Sequence, residues 1–187
     1  MGDPCGIGPE ITARAFRELE GLQGCDLVVI GDRSALERGI AAVGLDLDVN
    51  VLSSFQSPLV SGKLNLIDVP GKWESLPPWG KVSPEAGEAS IRAVEVATRA
   101  ALDGHLDAIV TGPINKEAIW SSGCEHLGHT ELLGALTGVS SQDTMFVVLE
   151  THKPGHHLRV FFATRHVSLR RAIDQLTLEL VEGSIQR

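Results

Sequence analysis

The stretch that most constrains this chain runs from Asp107 to Glu131. It opens with the apolar run Ala108-Ile109-Val110, read as a buried strand, and breaks at once into Thr111-Gly112-Pro113-Ile114-Asn115-Lys116. A short helical piece follows, then Gly123-Cys124-Glu125-His126-Leu127-Gly128-His129-Thr130-Glu131. In open α/β sheets, ligands collect just outside the carboxyl ends of strands, where loops of this kind gather. Gly112 tolerates positive φ, whereas Pro113 locks φ and removes a donor, so the backbone there is irregular. Lys116 adds a fixed positive charge, and Thr111, Asn115, His129 and Thr130 add hydrogen-bonding groups. Together they suit an anionic ligand of phosphate or carboxylate type. A polar connection between two domains is the competing reading of the same residues.

The rest of the chain alternates strands and helices. Gly6-Ile7-Gly8-Pro9-Glu10 invites comparison with a dinucleotide fingerprint, but no strand precedes it and Ile11 stands where the third glycine belongs. Pro9 and Glu10 instead start a helix that runs to about Leu19. On spacing alone this is either a tight loop at the mouth of a cleft or an ordinary helix entry. Asp26 to Gly31 reads as a strand, and Ser34 as the cap of a helix that stops at Gly44. Val49–Leu52 and Leu64–Val69 are short strand candidates within and beside a Ser-, Pro- and Gly-rich connection from Ser53 to Pro84. Trp73 and Trp79 in that connection either pack back on a core or face a partner. Ser83 caps, and Pro84 opens, a helix to about Asp103 that Gly104 stops, with Ile91, Val94, Ala101 and Leu102 as its buried stripe. Thr130–Leu136 reads as helix. Met145–Leu149 and Leu158–Ala163 form a hairpin around Lys153-Pro154-Gly155, and Ser168 caps the helix that follows. Leu178–Gln186 is a last helix. The alternation implies a three-layer α/β protein.

Bulk properties narrow the function classes. At 187 residues the chain can bury a good core. A net charge of −8 argues against nucleic acid or an anionic membrane as the main partner, so an anion site has to be a local exception. The three cysteines, Cys5, Cys25 and Cys124, are an odd number at unrelated spacings, which fits a reducing cytoplasm better than a disulfide framework. No apolar run approaches the ~20 residues of a membrane span.

The seven histidines require a metal audit. Cys124, His126 and His129 lack the second matching pair of a closed zinc site. His152, His156 and His157 flank the hairpin turn, and His105 follows a helix end where it suits the dipole. His166 differs, because it stands just past the carboxyl end of a strand. On spacing alone, a lone histidine there is more often structural than a ligand.

Three motifs carry a resemblance that covers essentially the whole chain. Gly2-Asp3-Pro4-Cys5-Gly6-Ile7-Gly8-Pro9-Glu10, Thr111-Gly112-Pro113-Ile114-Asn115-Lys116-Glu117-Ala118 and Gly128-His129-Thr130-Glu131 occur in the order of one family's signatures. The family they resemble is that of 4-hydroxythreonine-4-phosphate dehydrogenase, with the related 4-phosphoerythronate and 4-phosphothreonate dehydrogenases. Cys5 departs from the family's usual alanine, a change between two small residues. The resemblance implies two domains like those of isocitrate and isopropylmalate dehydrogenases, with the active site between them and completed in a homodimer. Residues 1–122 would be part of the first domain and 123–187 the start of the second. Family members continue well beyond Arg187, so the chain is expected to lack part of the protein at its C-terminus and one strand before Gly2.

The implied chemistry is oxidation of 4-phosphooxy-L-threonine by NAD or NADP, in pyridoxal phosphate synthesis. The 3-oxo acid so formed then loses its carboxylate. A divalent metal (zinc, magnesium or cobalt) on three histidines lowers the pKa of the substrate hydroxyl. His166 matches the first of those histidines, and the other two lie beyond the chain. The family's His-Thr pair holds substrate, which maps onto His129 and Thr130. Lys116 as a catalytic electrostatic support is our own reading of the loop, outside the family's pattern. The same chemistry on 4-phospho-D-threonate or 4-phospho-D-erythronate is a near alternative. Acyl-phosphate transfer and a non-catalytic phosphate-binding module are more distant ones.

Overall fold

The computed structural model describes residues 1–126, 128–139, 145–149, 157–164 and 167–186. They form two compact units, Met1–Gly138 and Val139–Arg187. The helices after residue 115 pack on a long helix of the first unit, which places them in it.

Unit 1 is built on a parallel sheet. β1 (Val29–Gly31) and β2 (Val49–Leu52) both pair with the central β3 (Leu64–Asp68). Parallel strands need cover on both faces, and the alternation along β3 provides for it. Leu64 and Leu66 face α1 (Gly8–Leu19) and α2 (Arg33–Ala42), where Ala13, Phe16, Leu36 and Ile40 complete one core. Ile67, with Ile30 of β1, faces Ala93 and Ala97 of α3 (Pro84–Leu102) in a second core. Helices on both faces of one sheet make the expected three-layer α/β arrangement. The sheet's one buried amide, Asn65, is paid for locally: it bonds to the Asn50 side chain and to the backbone of Val60 and Lys63.

Several local expectations need correction. Ala108-Ile109-Val110 forms no strand, and Val110 is 95% exposed. An apolar run alone cannot distinguish a strand from an extended connection, and this one lacks hydrogen-bonded neighbours. The first strand is shorter than Asp26–Gly31, starting only at Val29. The cap of α2 is Asp32, not Ser34: the Asp32 carboxylate accepts from the Ala35 amide at 2.8 Å and from Gly71 at 2.9 Å. Two good capping residues stand two apart in the sequence, and the aspartate also ties down a remote loop. In α3, Ser83 caps and Gly104 follows with φ +77°, as expected. However, Leu102 is 62% exposed, and the buried face is a stripe of small residues, including Ala86, Gly87, Ala93, Ala97 and Ala100. Small side chains allow close approach. A Cβ on Gly87 would overlap the carbonyl of Ala118 in α4 (Lys116–Ser121).

Beyond α5 (His129–Thr137), unit 2 contains the antiparallel pair β4 (Met145–Leu149) and β5 (His157–Phe161), then α6 (Leu169–Gln175) and α7 (Leu178–Gln186). Ser168 caps α6 by accepting from the Arg171 amide. The turn Lys153-Pro154-Gly155 lies outside the described residues, as does His166. No helix among the described residues is long and apolar enough to cross a membrane.

Candidate functional site

The first and second motifs meet at one seam. Met1 runs beside β1, its amino group donating to Ile30 O at 3.0 Å, so Gly2 and Asp3 emerge next to that strand's carboxyl end. The Asp3 amide donates to Pro113 O at 2.8 Å. This approach requires glycine on both sides. Gly2 has φ +82° and a Cβ there would overlap Pro113 O, while a Cβ on Gly112 would overlap Met1 O. Asp3 itself is buried, and its carboxylate accepts from the Cys5 amide at 2.8 Å. Burial pushes its pKa up, and the amides of Cys5 and Gly6 partly offset this.

From the seam the chain passes directly into α4. Asn115 serves as its N-cap, with Oδ1 accepting from the Ala118 amide at 3.0 Å, so one group read from sequence as ligand-facing is spent on the backbone. Lys116 follows, exposed, and it takes part in none of the ion pairs among the described residues. Trp120 Nε1 then donates to His126 O at 3.0 Å, fixing the connection back toward the third motif.

The third motif opens α5, which packs against α3. Its N-cap is Gly128, fully extended at φ 169°, with no side chain capping the first turn. Among the described residues no side chain takes the first-turn amides of this helix, at the end where the helix dipole favours an anion. The Lys116 side chain comes to this point: a Cβ on Gly128 would lie 4.0 Å from Lys116 Cε and 3.7 Å from Glu131 Oε2. His129 is the first residue of α5, and its Nε2 is buried without a hydrogen-bond partner. Burial lowers the imidazole pKa, which favours the neutral ring. Thr130 is exposed beside it.

Of the residues singled out from sequence, Lys116, His129 and Thr130 thus lie together at the uncapped end of α5. Thr111 lies exposed in the connection, and His166 is outside the described residues. No three His, Cys, Asp or Glu side chains among the described residues could share a metal ion, and Cys124, His126 and His129 form no such group. Sequence reasoning assigned no role to Asp3 or Arg38. Asp3 stands in a quoted motif, whereas Arg38 carries no sequence signal. Its guanidinium donates to Pro77 O at 2.8 Å and Pro4 O at 2.9 Å, contacts separated by tens of residues.

Comparison with known proteins finds relatives along the whole chain. A protein of Cutibacterium acnes, provisionally named D-threonate 4-phosphate dehydrogenase, is 43% identical over the whole chain, which covers 52% of that relative. One of the same provisional name from Symbiobacterium thermophilum is 39% identical, and the chain covers 54% of it. Among solved structures, 4-hydroxythreonine-4-phosphate dehydrogenase from Burkholderia phymatum superposes with a TM-score of 0.86 at 31% identity. The enzyme of that name from Klebsiella pneumoniae gives 0.84 at 34%. Both comparisons cover 100% of this chain, but only 55% and 54% of the solved chains. The chain thus spans about half the length of the curated relatives it matches. Residues 23–187 match the family described as pyridoxal phosphate biosynthetic protein PdxA, and the chain belongs to that family.

Proposed function

We propose that this chain supplies part of the substrate site of an NAD(P)-linked, metal-dependent dehydrogenase acting on a phosphorylated hydroxy acid. The observation that carries the reading is the bare N-terminus of α5. There, open first-turn amides, the Lys116 cation and a buried, unpartnered His129 Nε2 adjoin one another. A phosphate or carboxylate suits the amides and the lysine, since a helix N-terminus favours negative charge. A neutral His129 ring suits a substrate hydroxyl or phosphate oxygen, and such a partner would satisfy the orphaned nitrogen. His129 and Thr130 bind and orient the substrate in this reading, and Lys116 offsets negative charge beside the reacting carbons.

His166 as a ligand of zinc, magnesium or cobalt, and NAD or NADP as oxidant, belong to the proposal through the sequence resemblance. No described residue is assigned to either. The same reading makes residues 1–122 part of the first domain and 123–187 the start of the second. It also makes the full-length protein a cytoplasmic homodimer. For substrate, 4-phosphooxy-L-threonine is the reading that the sequence resemblance implies. D-threonate 4-phosphate is a second reading, favoured by the provisional name of the curated relatives.

The test is NAD(P)H formation by the full-length protein with 4-phosphooxy-L-threonine, D-threonate 4-phosphate and D-erythronate 4-phosphate, with and without chelator. Turnover on one of these that a chelator abolishes is the expected result. No turnover on any of them, with acyl-phosphate transfer detected instead, overturns the reading.

A further inference from the structure

A second set of contacts converges on the Gly2–Ile7 loop. The segment 77–80 lies across it. The Gly80 amide donates to Cys5 O at 2.9 Å, and the Cys5 thiol reaches Pro77 O at 3.7 Å. Arg38, from α2, joins the two segments. One guanidinium nitrogen donates to Pro77 O and another to Pro4 O, and the guanidinium plane sits 4.7 Å from the centre of the Trp79 ring. Arg38 forms no ion pair among the described residues, and its Nε is buried without an acceptor. A half-buried guanidinium spent on two neutral carbonyls and an aromatic face gives up charge pairing for geometry. Its planar fork can bridge two carbonyls at fixed angles, which a lysine ammonium cannot reproduce.

The geometry points to Arg38 as a positioning residue for the site: it clamps segment 77–80 onto the Gly2–Ile7 loop and so holds that loop in register with Pro113 and the Lys116 segment. The path is short and continuous. Arg38 holds the Pro4 carbonyl, the adjacent Asp3 amide holds Pro113 O, and Asn115 and Lys116 follow directly. His129 and Thr130 are set by α5 packing on α3, and α4 packs on α3 as well, so the clamp bears on the Lys116 segment through its Pro113 end. Loss of the clamp therefore frees that end, at the start of α4 beside Lys116, while the helices stay packed. Displacement of a charged group by about 1 Å costs up to roughly a hundredfold in rate.

This inference rests on the proposed role of Lys116, and its test separates the two. In the full-length protein, Arg38→Met should speed amide exchange in peptides covering residues 1–10 and 76–82 by about tenfold or more, leaving α3 and α5 unchanged. The kcat for the phosphorylated substrate should fall about tenfold to a hundredfold, while KM stays within about threefold. Arg38→Lys should restore part of both. If Arg38→Met does not fold, Arg38→Lys decides by the same two readouts. Unchanged exchange in both segments, or a loss carried by KM with kcat intact, would overturn the role given to Arg38. If the wild-type protein oxidises none of the test substrates, the proposed function fails, and accelerated or unchanged exchange still decides whether Arg38 is the clamp.

Discussion

Two junctions in this molecule use their sequence very differently. The seam between Asp3 and Pro113 is made of glycines pressed on backbone, a buried aspartate and a few fixed hydrogen bonds. The β4–β5 pair of unit 2 is apolar on both faces, with Phe146, Val147, Val148, Leu158 and Phe161 all exposed. Among the described residues of unit 2 none is buried. A two-stranded pair with no covered face is marginal in water, whereas the seam borrows rigidity from two cores on either side of the sheet.

The comparison can be broken by cutting into each unit. The largest effect should come from Leu66→Ala, which empties a fully buried site between β3 and the α1–α2 layer. It should cost about 2–5 kcal/mol in denaturant unfolding. Phe146→Ala in the exposed pair should stay within about 0.5 kcal/mol. A single glycine change then gives opposite signs in the two units. Gly87→Ala drives a methyl into the Ala118 carbonyl and should destabilise by about 1–3 kcal/mol. Gly183→Ala in α7 meets open space and should stabilise by about 0.5–1 kcal/mol. Thermal melts of the pair would show shifts in opposite directions, and equal shifts would remove the distinction between the units.

Smaller effects sharpen the same contrast. Ser83→Ala removes the buried cap of the longest helix, whose hydroxyl accepts from Ala86 at 3.2 Å, and should cost about 1 kcal/mol. Ser168→Ala removes an exposed cap at 3.4 Å and should cost a few tenths of that, about 0.3 kcal/mol. His129 adds a pH dependence confined to unit 1. Its folded pKa lies below the ordinary histidine value because of burial first and the Met1 amino group second. The neutral ring's contribution is thus fully present above about pH 6.5 and is lost as pH falls through the lowered folded value. A melting temperature that drops between pH 7 and pH 5 in the wild type, and drops less in His129→Gln, is the expected outcome.

Much of this fold can be read directly from particular residues. Ser83-Pro84 and Gly104 bracket α3, Pro9 opens α1, and Ser168 opens α6, because caps and prolines act over one turn. The alternation along Leu64–Asp68 likewise anticipates a strand with two covered faces. What escaped the sequence depends on distant neighbours. Ala108-Ile109-Val110 has the composition of a strand but no partner to pair with. Asp32 outcompetes Ser34 because it also binds Gly71, a residue 39 positions away. The stripe on α3 is only partly legible: Val94 is buried as expected, but Leu102 is exposed, and small residues take its place, Ala93 and Ala97 against the sheet and Gly87 against α4. At the site, Lys116, His129 and Thr130 were legible as polar residues in one stretch, but their meeting at a bare helix end was not. Arg38 was invisible, since nothing local distinguishes it from other helical arginines.

The central claim is that the uncapped end of α5 holds the phosphorylated substrate through His129. The most direct measurement is the KM of the full-length protein and its His129→Ala variant for whichever phosphorylated hydroxy acid the wild type oxidises. A lost hydrogen bond to a charged ligand is worth about 1.5–3 kcal/mol, so KM should rise about ten- to a hundredfold while kcat changes much less. A His129→Ala enzyme with an unchanged KM would contradict the account.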